Sequence, residues 1–175
     1  AFEGAKIDQG MRAATGAIWR VDSNGDGLDC SVIGEVAPRG ICGSGLVDAA
    51  AVGLDLGIIA PGGRLRNGAT SRPLTDGIGI TQTDIRQLQL AKGAISAGFR
   101  LLLEQLGRTP DDVGRLYLAG AFGNYISRDS AERIGLLSVP PEKVEAVGNT
   151  ALLGAKISLF LDDVGFADIR RRVQH

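Results

Sequence analysis

Short apolar runs with strand-like spacing open the chain, and after ICGSG the spacing becomes helical. AIWRV (17–21) and CSVIG (30–34) flank DSNGDGLD, whose Asn-Gly and Asp-Gly pairs predict a tight hairpin turn. Leu46, Val47, Ala50, Val52 and Leu54 predict a helix from about 44 to 56, stopped by Gly57 and with Ser44 as its N-cap. Residues 58–80 read as loop, with turns at PGG and RPL and a short strand at GIGI. Thr81 and Asp84 then form a capping-box pattern. Ile85, Leu88, Ala91, Ile95, Phe99, Leu102 and Leu106 carry an apolar stripe from there to about 106. Gly93 and Gly98 lie inside that helix at a cost of about 1 kcal/mol each relative to alanine. Close packing, or room for a ligand, is the expected compensation.

The second half continues with a strand in RLYLAGA, a short helix over 129–136, a strand in VEAVG and an Ala- and Leu-rich helix from Thr150 to Leu161. FADIRRRV supplies a last helical turn or two. Helix, strand, helix, strand, helix is the order of an α/β layer in which helices cover a sheet. The expected organisation is one domain over 1–175. Residues 1–80 are its strand- and loop-rich portion, 81–162 the alternating portion and 163–175 a helical tail.

Composition narrows the function classes. The chain is 44% hydrophobic and 22% charged with a net charge of -1, as in an ordinary globular domain. The basic cluster Arg170–Arg172 reads as a solvated helix end, so no nucleic-acid partner is expected. No apolar stretch has the length of a membrane span, and no signal peptide is evident, from which no membrane association and a cytoplasmic location are expected. Cys30 and Cys42 make neither a disulfide framework nor a four-thiolate iron site, and both read as buried small hydrophobes. The one histidine is His175, at the very end, which leaves no histidine-based metal site or triad. Asp22, Asn24, Asp26 and Gly27 open like a calcium loop, but Ile33 stands where the closing glutamate is needed.

The glycines change the picture most. There are 26 of them, about twice the usual share, and they sit at the ends of apolar runs. LYLAGAFGN and VEAVGN each run a strand into glycine and asparagine just before a helix, and ICGSG is a third such turn. Ligands collect at the carboxyl ends of strands in open α/β sheets, where backbone N–H groups and helix N-termini suit an anion. Gly43, Ser44, Gly45, Gly120, Gly123, Asn124, Gly148 and Asn149 are therefore candidates for one side of a nucleotide cleft, although each turn taken alone reads first as a plain glycine turn. No glycine run matches a P-loop or the dinucleotide fingerprint. Lys92, three residues after Gln89, is either a solvated lysine or a ribose or phosphate contact. Glu3 and Asp48 are the best isolated acids, and no Asp-Gly-Thr phosphate turn or carboxylate pair is present. The residues describe part of an ATP site and no catalytic residue or metal site.

AFEGAKIDQGMRAATGAI, ICGSGLVDAA, ITQTDIRQLQLAKGAI, LYLAGAFGNYI and VGNTALLGA occur in this order over roughly residues 1 to 162. In this the chain resembles the C-terminal actin-like ATPase (ASKHA) region of the ferredoxin-containing reductive activators of corrinoid proteins. The resemblance implies a ribonuclease H-like, actin-like α/β fold with a mixed sheet and packed helices. It implies ATP and Mg2+ as cofactors of the complete protein, a [2Fe-2S] cluster in an N-terminal domain, and a corrinoid protein as partner. ATP hydrolysis would drive uphill electron transfer to cob(II)alamin. By the same resemblance Gly120, Ala121, Phe122, Gly123 and Asn124 form the adenosine-side turn, and Gln89 and Lys92 border the nucleoside. Gly43–Gly45 and Gly148–Asn149 are accompanying cleft turns, and Glu3 follows the second phosphate turn, on the metal and phosphate side. The phosphate turns and ferredoxin cysteines of the family are not in this sequence. Weak or no ATP hydrolysis by this chain alone, and no iron–sulfur absorbance, are accordingly expected. Two further readings are a small-molecule kinase of the same superfold and a non-catalytic module that docks a corrinoid protein or a second copy of itself.

Overall fold

The computed structural model describes residues 6–25, 27–161 and 163–173. β1 (Ala17–Asn24) and β2 (Gly27–Val32) form an antiparallel hairpin in which Asn24 faces Gly27, as the Asn-Gly turn signal predicts; Asp26 lies outside the described residues. β3 (Gly40–Ile41) adds in parallel on the other side of β1, giving a mixed sheet in the order β2-β1-β3. Helix α1 (Gly43–Asp55) follows at once and packs back on β1, burying Leu46, Val47 and Ala50.

β4 (Ser71–Thr75) and β5 (Ile78–Thr81) make a second hairpin where a loop with one short strand is expected. Pro73 argues against a strand in the sequence, yet it sits at an irregularity of the register, where a missing N–H is tolerated. Gly79 lies opposite it, and a Cβ there would come within 2.8 Å of the Arg72 carbonyl oxygen. The segment before β1 is fastened to this hairpin by Gln9, whose amide donates to the Gly77 carbonyl at 2.7 Å and accepts from the Gly79 N–H at 2.8 Å.

Helix α2 (Gln82–Gln105) starts with the expected capping box. The Asp84 N–H donates to Thr81 Oγ1 at 3.1 Å, and Asp84 Oδ2 accepts from the Thr81 N–H at 2.8 Å. The remaining oxygen of Asp84 accepts from the Asp8 N–H at 2.9 Å, so one buried carboxylate fixes both the helix start and the N-terminal segment. The stripe along α2 is buried only at Ile85 and Leu88; Ile95, Leu102 and Leu106 are exposed. Gly93 and Gly98 likewise meet nothing within 4 Å of a Cβ, so no close packing compensates them.

β6 (Leu116–Ala119) leads into α3 (Ala121–Tyr125) and α4 (Arg128–Arg133), and β7 (Val144–Gly148) leads into α5 (Thr150–Ser158). β6 and β7 pair in parallel. The alternating order expected for the second half is thus present, and the fold is the mixed α/β architecture, with packed helices, that the motifs imply. Leu152, Leu153 and Ile157 of α5 are all exposed. α6 (Asp163–Val173) ends the described chain, with Arg171 and Arg172 paired to Asp168 as a solvated helix end.

Candidate functional site

The carboxyl ends of β6 and β7 lie side by side, with Ala119 opposite Gly148. One residue further on, the Gly120 N–H donates to the Gly148 carbonyl at 2.7 Å, which locks the two strand-to-helix turns together. Both glycines need their positive φ: Gly120 has φ 92 and caps α3, and Gly148 has φ 69 just before α5. A Cβ at Gly120 would meet nothing within 4 Å, and one at Gly148 only Asn124 Oδ1 at 4.0 Å. The floor of this cradle is backbone, open on the side where side chains would stand.

Gly123 has a different job. It is buried, and a Cβ there would stand 2.8 Å from the Leu118 carbonyl oxygen, so its absence lets α3 lie flat on β6. Phe122 packs against the core and Ile126 is buried in it, while Ala121 is the first residue of α3 and Asn124 faces outward. Asn149 caps α5, its Oδ1 accepting from the Leu152 N–H at 3.0 Å. Tyr125 closes α3 with its ring edge-on to Trp19 of β1, 6.2 Å between centroids. Sequence reasoning missed the pairing of Trp19 and Tyr125. They lie far apart in the chain, and only the seating of α3 beside β1 brings them together.

The other candidates stand elsewhere. Gly43, Ser44 and Gly45 are all buried. Cys42, not Ser44, occupies the N-cap of α1 and makes no side-chain cap bond. Ser44 lies inside the first turn, where its hydroxyl donates to the Trp19 carbonyl at 2.8 Å. A Cβ at Gly45 would overlap the Ile18 carbonyl oxygen, so this glycine permits the close packing of α1 on β1. Gln89 donates to the Gly62 carbonyl at 3.1 Å. Lys92 is half-buried, not solvated, and its amine donates to the Ile134 carbonyl at 2.6 Å. These two border a cavity of about 60 Å³ whose walls include Ala50, Leu54, Ile85 and Leu88. Glu3 lies outside the described residues, as does His175. The structure therefore unites the turns at Gly120–Asn124 and Gly148–Asn149, buries the turn at Gly43–Gly45 under β1, and sets Gln89 and Lys92 on another cavity.

The donor set does not fit an iron–sulfur cluster. Cys42 is buried with its sulfur 3.3 Å from Ser44 Oγ. Cys30 is only half-buried, contrary to the reading of both cysteines as core residues, and points at the Leu74 carbonyl 3.7 Å away. Burial, with the nearby charge of Asp29, pushes the Cys30 thiol pKa up and so disfavours the thiolate a metal needs. Among the described residues no three acidic, histidine or cysteine side chains converge to hold a metal ion.

A mixed sheet with packed helices, ending in paired glycine turns at the mouths of two parallel strands, defines an α/β domain of the ASKHA class. Within that class the chain belongs to the family described as the C-terminal domain of RACo, the ASKHA domain, which it matches over residues 1–175. It is 39% identical to the corrinoid activation enzyme RamQ of Eubacterium limosum, over 91% of this chain and 31% of that protein. It is 32% identical to the [Co(II) methylated amine-specific corrinoid protein] reductase of Methanosarcina barkeri, over 94% of this chain and 35% of that one. Among solved structures, the reductive activator for corrinoid, iron–sulfur protein superposes with a TM-score of 0.84 at 34% identity, over 99% of this chain and 31% of its own. The chain thus spans about a third of the length of the relatives it matches.

Proposed function

We propose that this chain is the nucleotide-gripping part of an ATP-dependent activator that returns a corrinoid protein to its reduced, active state. The observation that carries the reading is the Gly120–Gly148 hydrogen bond of 2.7 Å, which makes one open cradle of two turns at the carboxyl ends of parallel strands. A flat, polar nucleoside fits such a cradle, because no side chain fills it and the surrounding groups are backbone amides and the Asn124 side chain. Gly120 and Gly148 would set the shape of the floor, and Asn124 and Asn149 would flank the ligand. Gln89 and Lys92 line another cavity in this structure, so a bordering role for them from α2 would require α2 to approach the cradle and Lys92 to leave the Ile134 carbonyl.

ATP, when bound, supplies a phosphoanhydride whose cleavage can drive an unfavourable electron transfer. The residues described here would hold and orient the nucleoside. Mg2+ would arrive with the phosphates, since among the described residues no acidic cluster awaits it. The relatives, a corrinoid activation enzyme, a corrinoid protein reductase and a reductive activator, support a corrinoid protein as partner and a reduction as the outcome. The test is reduction of cob(II)alamin on a corrinoid protein, followed by visible absorbance, with the full-length activator and its Gly148→Val variant. The proposal expects an ATP-dependent rate that the variant loses. An unchanged rate in the variant, or a rate indifferent to ATP, would overturn it.

A further inference from the structure

Asp48 Oδ1 is, among the described residues, the one buried side-chain oxygen or nitrogen without a hydrogen-bond partner. Its carboxyl group lies on α1 one turn beyond Ser44, with the residue only 3% exposed. The other oxygen accepts a long bond from the Val21 N–H at 3.4 Å. The charged side chains that face it are Arg20 and Asp22 of β1. Arg20 is already committed to Asp22, at 2.7 and 3.1 Å, and forms no ion pair with Asp48. From α4, Ser130 lies against the same carboxyl group. A buried carboxylate held only by a long bond from the Val21 N–H and by the Ser130 hydroxyl, with one oxygen unpartnered and no cation paired to it, is better carried as the neutral acid. Burial does raise the pKa of this group, against smaller opposing effects of Ser130, the Val21 N–H and Arg20.

The place of this group in the fold gives it a reach beyond α1. α4 sits on α1, with Ala131 fully buried and Arg133 paired with Asp55 at 2.6 Å. Only Ile126 and Ser127 separate α4 from α3, so the seat of α4 on α1 also places the turn at Gly120–Asn124. On the other flank, Ser44 and Asp48 hold successive backbone groups of β1, the Trp19 carbonyl and the Val21 N–H, and the Trp19 ring meets Tyr125 of α3. One carboxyl group therefore stands where β1, α1 and the α3–α4 unit meet.

We propose that Asp48 is a positioning residue that works as a neutral acid: while protonated it keeps the α3–α4 unit seated on α1, and its ionisation loosens that seat and the turn at Gly120. The consequence for nucleotide affinity rests on the reading proposed above, but the positioning role does not. Trp19 is the only tryptophan in the chain, so its emission reports the contact with Tyr125 directly.

The experiment is a pH titration of tryptophan emission for the wild type and Asp48→Asn, joined to Mg-ATP affinity across the same range. The wild type should show an emission transition above the ordinary aspartate range of about 3.9, with ATP affinity falling about fivefold or more across it. Asp48→Asn should show no transition, and its affinity should be level over that interval. An emission transition that Asp48→Asn abolishes, with no ATP binding at any pH, would uphold the positioning role and sink the nucleotide reading. A transition that persists in Asp48→Asn would overturn the role of Asp48. Should that variant fail to fold, carboxyl carbon NMR of the wild type decides: titration of Asp48 near 3.9 overturns the proposal, and titration well above it, moving together with the emission, upholds it.

Discussion

The Gly120 N–H donates to the Gly148 carbonyl across 2.7 Å, and this bond joins stretches of chain separated by two α-helices, a loop and a strand. It turns two separate glycine turns into one surface. Whatever binds at the end of β6 also meets the end of β7.

Glycines in this chain fall into two groups that mutation should separate. Gly120→Ala forces a side chain into φ 92, and Gly123→Ala drives a Cβ toward the Leu118 carbonyl oxygen. Each should cost about 1–3 kcal/mol in urea denaturation, the usual range for strain or overpacking. Gly93→Ala and Gly98→Ala lie in open space on α2 and should stabilise by about 0.5–1 kcal/mol instead. Equal effects in both groups would contradict the roles assigned here.

Lys92 should behave as a structural donor as well as a candidate ligand. Its amine is bonded to the Ile134 carbonyl at 2.6 Å, tying α2 to the turn after α4. Lys92→Met should lower stability by about 1–2 kcal/mol, and Lys92→Arg, which keeps a charged donor, by less. Denaturation midpoints in the absence of nucleotide measure this directly. Equal losses for Met and Arg would point to packing of the stem, not to the hydrogen bond.

Two aspartates should move stability with pH in opposite senses. Burial raises the pKa of Asp48, so the folded state holds that proton more tightly than the unfolded one. Its contribution is full below the unfolded aspartate range and is lost as pH rises through the folded pKa. Asp112 is the reverse case. The Thr109 N–H, bonded at 2.8 Å, lowers its pKa most, followed by the Thr109 hydroxyl. Its contribution is present above the unfolded range and fades as pH falls through the folded pKa. Melting temperatures should therefore fall less as pH rises above the ordinary aspartate range in Asp48→Asn, and fall less as pH drops below that range in Asp112→Asn, than they do in the wild type. No change in either profile would refute the assignment.

Local chemistry made much of the fold legible. The capping box at Thr81 and Asp84, the Asn-Gly hairpin and the alternation of helix and strand in the second half all depend on neighbours in sequence, and each is present. Readings that depended on distant partners fared differently. Ser44 has the right residue type for a cap, but the Trp19 carbonyl claims its hydroxyl. Pro73 hides a strand because the register irregularity that tolerates it is a tertiary feature. The apolar stripe of α2 has helical spacing throughout, while the number of neighbours available to bury it falls away after Leu88. For the candidate site, the sequence marks both glycine turns correctly as strand ends. That they share a hydrogen bond, and that Gly43–Gly45 lie buried apart from them, follows only from strand pairing and from α1 closing on β1.

The most direct test of the central claim is an amide NMR titration of the isotope-labelled chain with Mg-ATP, which registers weak binding as well as strong. Saturable shifts are expected at Gly120, Asn124, Gly148 and Asn149, larger than those at Gly57 or Gly107, which are also turn glycines of positive φ. Saturable shifts that spare both turns, or none at concentrations that saturate the full-length activator, would contradict it.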